Sequence, residues 1–165
     1  MPAGHPERQI ARLMTQQEMT LAVAESCTGG LIGWRLTSVP GSSRWFCGGV
    51  TAYLNRIKTD YLGVDPEIID RVGAVSAPTA AQMARGVRKL MKSALGLSVT
   101  GIAGPGGGTP VKPVGLVFTA LAFHEGETVA RRMFEGDRAA VRESAASSAL
   151  EILHEYLLKR EARAL

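Results

Sequence analysis
One short turn of this sequence combines nucleophilic side chains with the start of a helix. The turn is Glu25-Ser26-Cys27-Thr28-Gly29-Gly30, set between a mainly apolar strand at residues 21–25 and a helical stretch carrying Leu31, Ile32, Arg35 and Leu36. The first turn of a helix presents unpaired N–H groups and a partial positive charge. Such a start can hold an anion, or the oxyanion of an acyl-transfer intermediate. Gly29 and Gly30 let a ligand come close to the backbone. Ser26 or Cys27 could attack a carbonyl held there, and the residues alone leave both open. The plainer reading is that a Ser or Thr of the turn caps the helix.

A hydroxyl nucleophile needs a base. His5, His124 and His154 fall in the N-terminal tail, at a turn and late in the last helix, and none follows a parallel strand. That argues against a Ser-His-Asp triad, and neither G-x-S-x-G nor S-x-x-K occurs. Lysine is left. Lys58 follows the second expected strand, a helical turn and a half after Tyr53. Only a deprotonated amine accepts a proton, so the ordinary lysine pKa of ~10.4 would have to fall through burial or a neighbouring cation. On spacing alone, Lys58 reads as a solvated helix lysine and Tyr53 as a half-buried strand aromatic.

A second candidate is the run Thr100-Gly101-Ile102-Ala103-Gly104-Pro105-Gly106-Gly107-Gly108. Clustered glycines let backbone N–H groups converge on a phosphate or carboxylate. No Gly-Lys-Ser/Thr exists, which excludes a Walker A loop, and the Rossmann spacing is not matched. A flexible surface loop is the plain alternative, although Thr109-Pro110 and Lys112-Pro113 behind the glycines favour a shaped one. Arg138 and Arg142 stand four apart on one helix face, an arrangement suited to a phosphate. Asp137 and Glu143 are near enough to pair with them, so a solvated face fits equally well. No His, Cys or Asp cluster has metal-ligand spacing, and neither a metal nor a cofactor is expected.

The scaffold that must carry these groups is small. The chain has 165 residues, 45% hydrophobic and 21% charged, which suits one domain with one sound core. The longest apolar run, residues 114–123, is short of the roughly 20 residues of a spanning helix. The N-terminus has no secretory core, so a cytoplasmic protein without membrane contact is expected. Two cysteines make no disulfide framework, and a single Cys27–Cys47 bridge is the one pairing open. The net charge of +4 fits a small anionic substrate. Aromatics at 5%, without a dense basic cluster, argue against nucleic acid.

Hydrophobic spacing predicts a first helix over 7–18, with Ile10, Leu13 and Met14 on one face. A strand follows over 46–53, then a short helix over 55–62 ended by Gly63. Another helical turn opens at Asp65-Pro66. Ser76 and Pro78 open the clearest helix, whose buried stripe is Ala80, Met83, Ala84, Val87, Leu90 and Met91. Strands are expected over 97–103 and 115–123, and Glu125-Gly126 turns into a third over 128–135. Asp137 caps a long last helix, with residues 1–6 and 159–165 as loose ends. This alternation predicts an α/β sandwich with a mixed, mainly parallel sheet. Ligands then belong beyond the carboxyl ends of the strands, in the turns after residues 25, 53 and 103. The strand at Phe46 and the last helix could supply a homodimer surface.

Five blocks in order carry a family likeness: AESCTGG (24–30), GGVTAYLNRIKTDYLGV (48–64), GAVS (73–76), TGIAGPGGGTPVKPVG (100–115) and GDRAAVR (136–142). Together they resemble the CinA C-terminal domain family of nicotinamide-nucleotide amidases, over about residues 21–157. The resemblance implies a three-layer α/β/α domain that hydrolyses the carboxamide of nicotinamide mononucleotide, a pyridine mononucleotide, to nicotinic acid mononucleotide and ammonia. It implies Ser26 as nucleophile, with Tyr53 and Lys58 as partners. It places Cys27, Thr28, Gly29, Gly30 and Asn55 around the substrate. Thr100, Gly101, Ala103, Gly104, Gly106 and Gly107 join them, with Arg138 and Arg142 toward the phosphate. Leu54 departs from the pattern, standing where a small polar residue is expected. A non-catalytic nucleotide-binding or regulatory module, and a hydrolase of another amide or ester, are the rival classes.

Overall fold
Strands β1 (Leu21–Glu25), β2 (Phe46–Thr51), β3 (Leu95–Gly101), β4 (Leu116–Phe123) and β5 (Gly126–Met133) form one sheet in the order β2-β1-β3-β4-β5. The structure, a computed structural model, describes residues 6–163. β2, β1 and β3 are parallel, and β4 pairs antiparallel with both neighbours, so four of the five strands point one way. The expected mixed, mainly parallel α/β sheet is therefore present.

Alternate side chains of the strands go to opposite layers. Leu21, Val23, Leu97, Val99, Val117 and Leu121 pack against helices α1 (Pro6–Gln16), α2 (Leu31–Thr37) and α6 (Arg138–Arg163). The other face carries Ala22, Ala24, Ala120 and Ala122, and meets α3 (Asn55–Leu62), α4 (Pro66–Val72) and above all α5 (Ala77–Met91). Small residues there let α5 lie almost on the sheet backbone. A Cβ on Gly96 would stand 2.2 Å from the carbonyl oxygen of Ala84, and Ser98 Oγ donates to the Ala80 carbonyl at 2.6 Å. β4 is buried along most of its length, whereas β5 is exposed at nearly every position and ends the sheet with Glu127, Arg131 and Arg132.

α5 forms where its sequence predicts, but the expected stripe ends at Val87: Leu90 is exposed and Met91 half-buried, because the last turn of the helix runs past the core. Ser76 accepts from the Thr79 N–H, proline occupies its first turn, and Ala80, Met83, Ala84 and Val87 are buried. α3 packs across α5 at Gly86, where a Cβ would lie 1.9 Å from the Leu62 carbonyl oxygen. Alanine improves helix propensity over glycine by about 1 kcal/mol. The clash should outweigh that gain. Gly86→Ala is expected to lose about 2–3 kcal/mol net, lowering Tm by roughly 5–10 °C in a thermal melt.

Several boundaries shift from the sequence expectation. The first helix stops at Gln16, because the chain turns with Glu18 at φ 50°. β2 ends at Thr51 instead of 53, where the Ala52 N–H turns to both Glu25 and Val50 carbonyls. β3 runs over Leu95–Gly101 instead of 97–103, started by the Thr20 hydroxyl on the Ala94 N–H. Of the expected loose ends, Pro6 already opens α1 and residues 159–163 continue α6, with Arg12 and Glu161 paired at 3.3 Å. Residues 1–5, which include His5, and 164–165 lie outside the described residues.

Candidate active site
The turns after β1, β2 and β3 meet at one end of the sheet. The Ser26 N–H donates to the Val99 carbonyl at 3.0 Å, and the Ala52 N–H donates to the Glu25 carbonyl at 2.8 Å. Three chain segments carrying Ser26, Tyr53 and Thr100 are thereby tied side by side.

Glu25 organises the first of them, a role its position in the sequence did not reveal. Its carboxylate is buried and accepts from the N–H groups of Gly30 (3.0 Å), Ile32 (3.1 Å) and Gly33 (2.8 Å). The Gly29 N–H goes to the Ser26 carbonyl and the Leu31 N–H to the Thr28 carbonyl. The start of α2 is therefore occupied from within, contrary to the expectation of a helix terminus open to an anion. Gly30 enters the helix at φ 99°, a left-handed conformation that favours glycine. The N–H groups of Cys27 and Thr28 are engaged by no other described residue, and they are the donors this turn can offer to an oxyanion.

Ser26 is nearly buried, at 9% exposure, and its hydroxyl takes no hydrogen bond among the described residues. Cys27 is buried too. Its Sγ would lie 3.1 Å from a Cβ on Gly101, and burial pushes its thiol up to about 11. A buried, protonated thiol is a poor nucleophile, which counts against Cys27. Cys27 and Cys47 are both free, without the bridge between them. The Thr28 side chain is fully buried with its hydroxyl unpartnered, so this residue can meet a ligand only through its backbone.

Lys58 is the residue for which the structure departs most from sequence spacing. It is 1% exposed, not a solvated helix lysine. Its Nζ donates to the carbonyls of Ala52 at 2.7 Å and Tyr53 at 3.2 Å. Burial lowers its pKa to about 8, with the neighbouring Cys27 acting in the other direction. Two carbonyls fix two N–H bonds, which leaves the remaining tetrahedral position for a third proton or a lone pair. Ala52 also bonds to Glu25, so the amine is anchored next to the strand end that carries Ser26.

The arginines do not stand free. Arg142 donates from Nε to the Cys27 carbonyl (3.2 Å) and from Nη2 to the Thr28 carbonyl (2.8 Å), clamping the serine turn from α6. Arg138 donates from Nη1 to the Gly104 carbonyl (2.7 Å) and from Nη2 to the Tyr53 hydroxyl (2.8 Å). Tyr53, 54% exposed, thus stands at the mouth of the site and bonds Arg138, while only its carbonyl touches Lys58. Asp137 caps α6 by accepting from the Ala140 N–H.

The glycine loop is shaped, as its flanking prolines suggest. Thr109 and Lys112 exchange two hydrogen bonds, and the Lys112 ammonium donates to the Val72 carbonyl. Ala103 and Gly104 are buried, while Gly106 and Gly107 are exposed at the tip. The Thr100 hydroxyl donates to the Ala74 carbonyl at 2.9 Å, so its proton ties β3 to the approach of α5. Asn55 opens α3 and is exposed. Leu54, the departure from the family pattern, sits at the N-cap of α3 with extended geometry and no capping side chain. It is 57% exposed, so Leu54→Ser should gain about 1 kcal/mol through the missing cap, raising Tm by roughly 2–4 °C.

The sequence model described as the CinA C-terminal domain matches residues 4–157. A CinA-like protein of Thermosynechococcus vestitus is 52% identical over 152 residues, covering 90% of this chain and 36% of that one. A CinA-like protein of Desulfotalea psychrophila is 49% identical over 150 residues, 91% and 36% of the two chains. The chain thus spans just over a third of the length of these curated relatives. Among solved structures, a CinA superfamily protein from Klebsiella pneumoniae superposes with TM-score 0.90 at 28% identity, over 94% of this chain and 99% of that one. The competence/damage inducible protein CihA from Agrobacterium tumefaciens gives 0.83 at 40% identity, over 93% and 96%. Sequence blocks, three-layer architecture and matched extent agree, and the chain belongs to the CinA C-terminal domain family.

Proposed function
We propose that this protein hydrolyses the carboxamide of nicotinamide mononucleotide through a serine acyl-enzyme. The observation that carries the reading is the buried Lys58 amine, held at the same sheet end as Ser26 with its pKa lowered to about 8. In its neutral form Lys58 takes the Ser26 proton. The hydroxyl oxygen attacks the amide carbon, and the N–H groups of Cys27 and Thr28 receive the developing oxyanion. The lysine then returns the proton to the leaving nitrogen, because ammonia departs readily only when protonated. Water, deprotonated by the same amine, releases nicotinic acid mononucleotide from the ester. In this reading Arg138 and Tyr53, bonded to each other at the mouth, take the anionic end of the substrate.

The direct test is ammonia release from nicotinamide mononucleotide by the wild-type protein, with free nicotinamide and other pyridine amides as comparison substrates. Release from the mononucleotide, together with a trapped mass increase on the Ser26 peptide, supports the assignment. Binding of the mononucleotide without ammonia release would favour a regulatory module, and faster release from another amide would reassign the substrate.

A further inference from the structure
A cavity of about 890 Å³ lies away from the Ser26 site. It lies at the opposite end of the sheet, between the end of α6 and the β4–β5 turn. Phe123 and Tyr156 stand in its wall, stacked with ring centroids 4.9 Å apart. Two smaller cavities, about 640 and 370 Å³, continue around the same turn and share Phe123, His124, Glu125 and Arg160 with one another and with the first.

Charge concentrates here. The three cavities are lined by seven Lys and Arg against four glutamates, an excess of three in a chain whose net charge is +4. Cations near helix C-termini ordinarily complement the helix dipole, and part of the cluster is accounted for locally. Arg88 Nε caps the Ala94 carbonyl and Arg85 pairs with Glu127. Lys89 and Lys92 make no side-chain hydrogen bond or ion pair among the described residues, and with Arg160 they line the cavities next to the aromatic pair.

The large cavity also presents an orphan acceptor. Gln17 Nε2 donates to the Leu157 carbonyl at 2.9 Å, and that carbonyl can only accept, which fixes the amide's orientation. Gln17 Oε1 is then left buried without a donor, on a side chain that lines two of the cavities. Such an atom calls for an N–H partner.

We propose that this pole is a second ligand site for a nucleoside polyphosphate, with a base bearing N–H donors placed by Phe123, Tyr156 and Gln17 Oε1, and the phosphates on Lys89, Lys92 and Arg160. Aromatic contact and N–H recognition select the base, and unpaired ammonium groups suit phosphates as point charges.

The test is calorimetric titration of the intact protein with ATP, sodium tripolyphosphate and adenosine. ATP should bind one-to-one, more tightly than tripolyphosphate or adenosine. The double variant Lys89→Glu/Lys92→Glu should weaken ATP and tripolyphosphate at least tenfold. Phe123→Leu should weaken ATP several-fold and leave tripolyphosphate unchanged, with far-UV circular dichroism verifying the fold of each variant. Saturating nicotinamide mononucleotide should not displace ATP, and Ser26→Ala should bind ATP as the wild type does, so the result is independent of the amidase reading. Absence of ATP binding at millimolar concentration would overturn the proposal. So would unchanged affinity in the charge-reversed variant, displacement by the mononucleotide, or tighter competition by a short DNA duplex.

Discussion

Ser26→Ala should lower ammonia release from nicotinamide mononucleotide by on the order of 10³-fold or more, as loss of a covalent nucleophile does. The fold should be indifferent to the change. The Ser26 hydroxyl has no hydrogen bond among the described residues, and its N–H bond to the Val99 carbonyl does not involve the side chain. A thermal melt within about 1 °C of wild type, beside the lost turnover, separates chemistry from structure. Cys27→Ala should show the reverse pattern. Its thiol fills buried space beside Gly101, so removal should cost about 1–2 kcal/mol of stability, while turnover stays within a few-fold. Ser26→Ala turnover within tenfold of wild type, or a dead Cys27→Ala, would transfer the attack to the thiol.

The second large effect concerns Lys58. Lys58→Met keeps the length and apolar stem of the side chain and removes the base, and kcat should fall by about 10²–10⁴-fold. Lys58→Arg should not rescue it, because a guanidinium stays charged throughout the accessible pH range. The pH profile provides a separate readout. Burial has moved the amine down to about 8 from 10.5. Only the neutral form accepts a proton, so kcat/KM should rise about tenfold per pH unit below 8 and level off above it. Stability follows with a defined sign. Between pH 8 and 10.5 the unfolded chain holds the Lys58 proton and the folded chain does not, so unfolding free energy rises with pH across that window. Measured melts of wild type relative to Lys58→Met should therefore improve from pH 8 to pH 10. A rate profile flat from pH 6 to 9 would remove Lys58 from the reaction.

Much of this architecture can be read from local chemistry. Ser76 with Pro78 marks the start of α5, Gly63 ends α3, and Asp137 caps α6, because each signal depends on a backbone conformation set within a few residues. The convergence of three turns at one sheet end follows from strand direction alone. The Lys58 environment does not. A lysine on a short polar helix reads as solvated, and its burial arises only when the Ala52 and Tyr53 carbonyls fold back over it. Glu25 was equally hidden, since a carboxylate before a turn does not announce three amides five to eight residues along the chain. For Arg138 and Arg142, four-residue spacing gives a shared helix face but not what that face touches. They are engaged with the loops around the site, on backbone carbonyls and the Tyr53 hydroxyl.

The close seat of α5 decides where this molecule can yield. Backbone laid against backbone leaves no cushion of rotatable side chains, and α3, wedged at Gly86, is coupled to that stiff side together with the base it carries. The nucleophile's turn is gripped from the opposite side, by an arginine of α6 whose layer rests on leucine, valine and methionine. The proposed base and nucleophile thus meet at one sheet end but are held from opposite faces, one through close backbone contact and the other through side chains. For the proposed chemistry the expected result is that ammonia release falls off below the melting midpoint, checked by comparing turnover with a far-UV melt over the same temperatures.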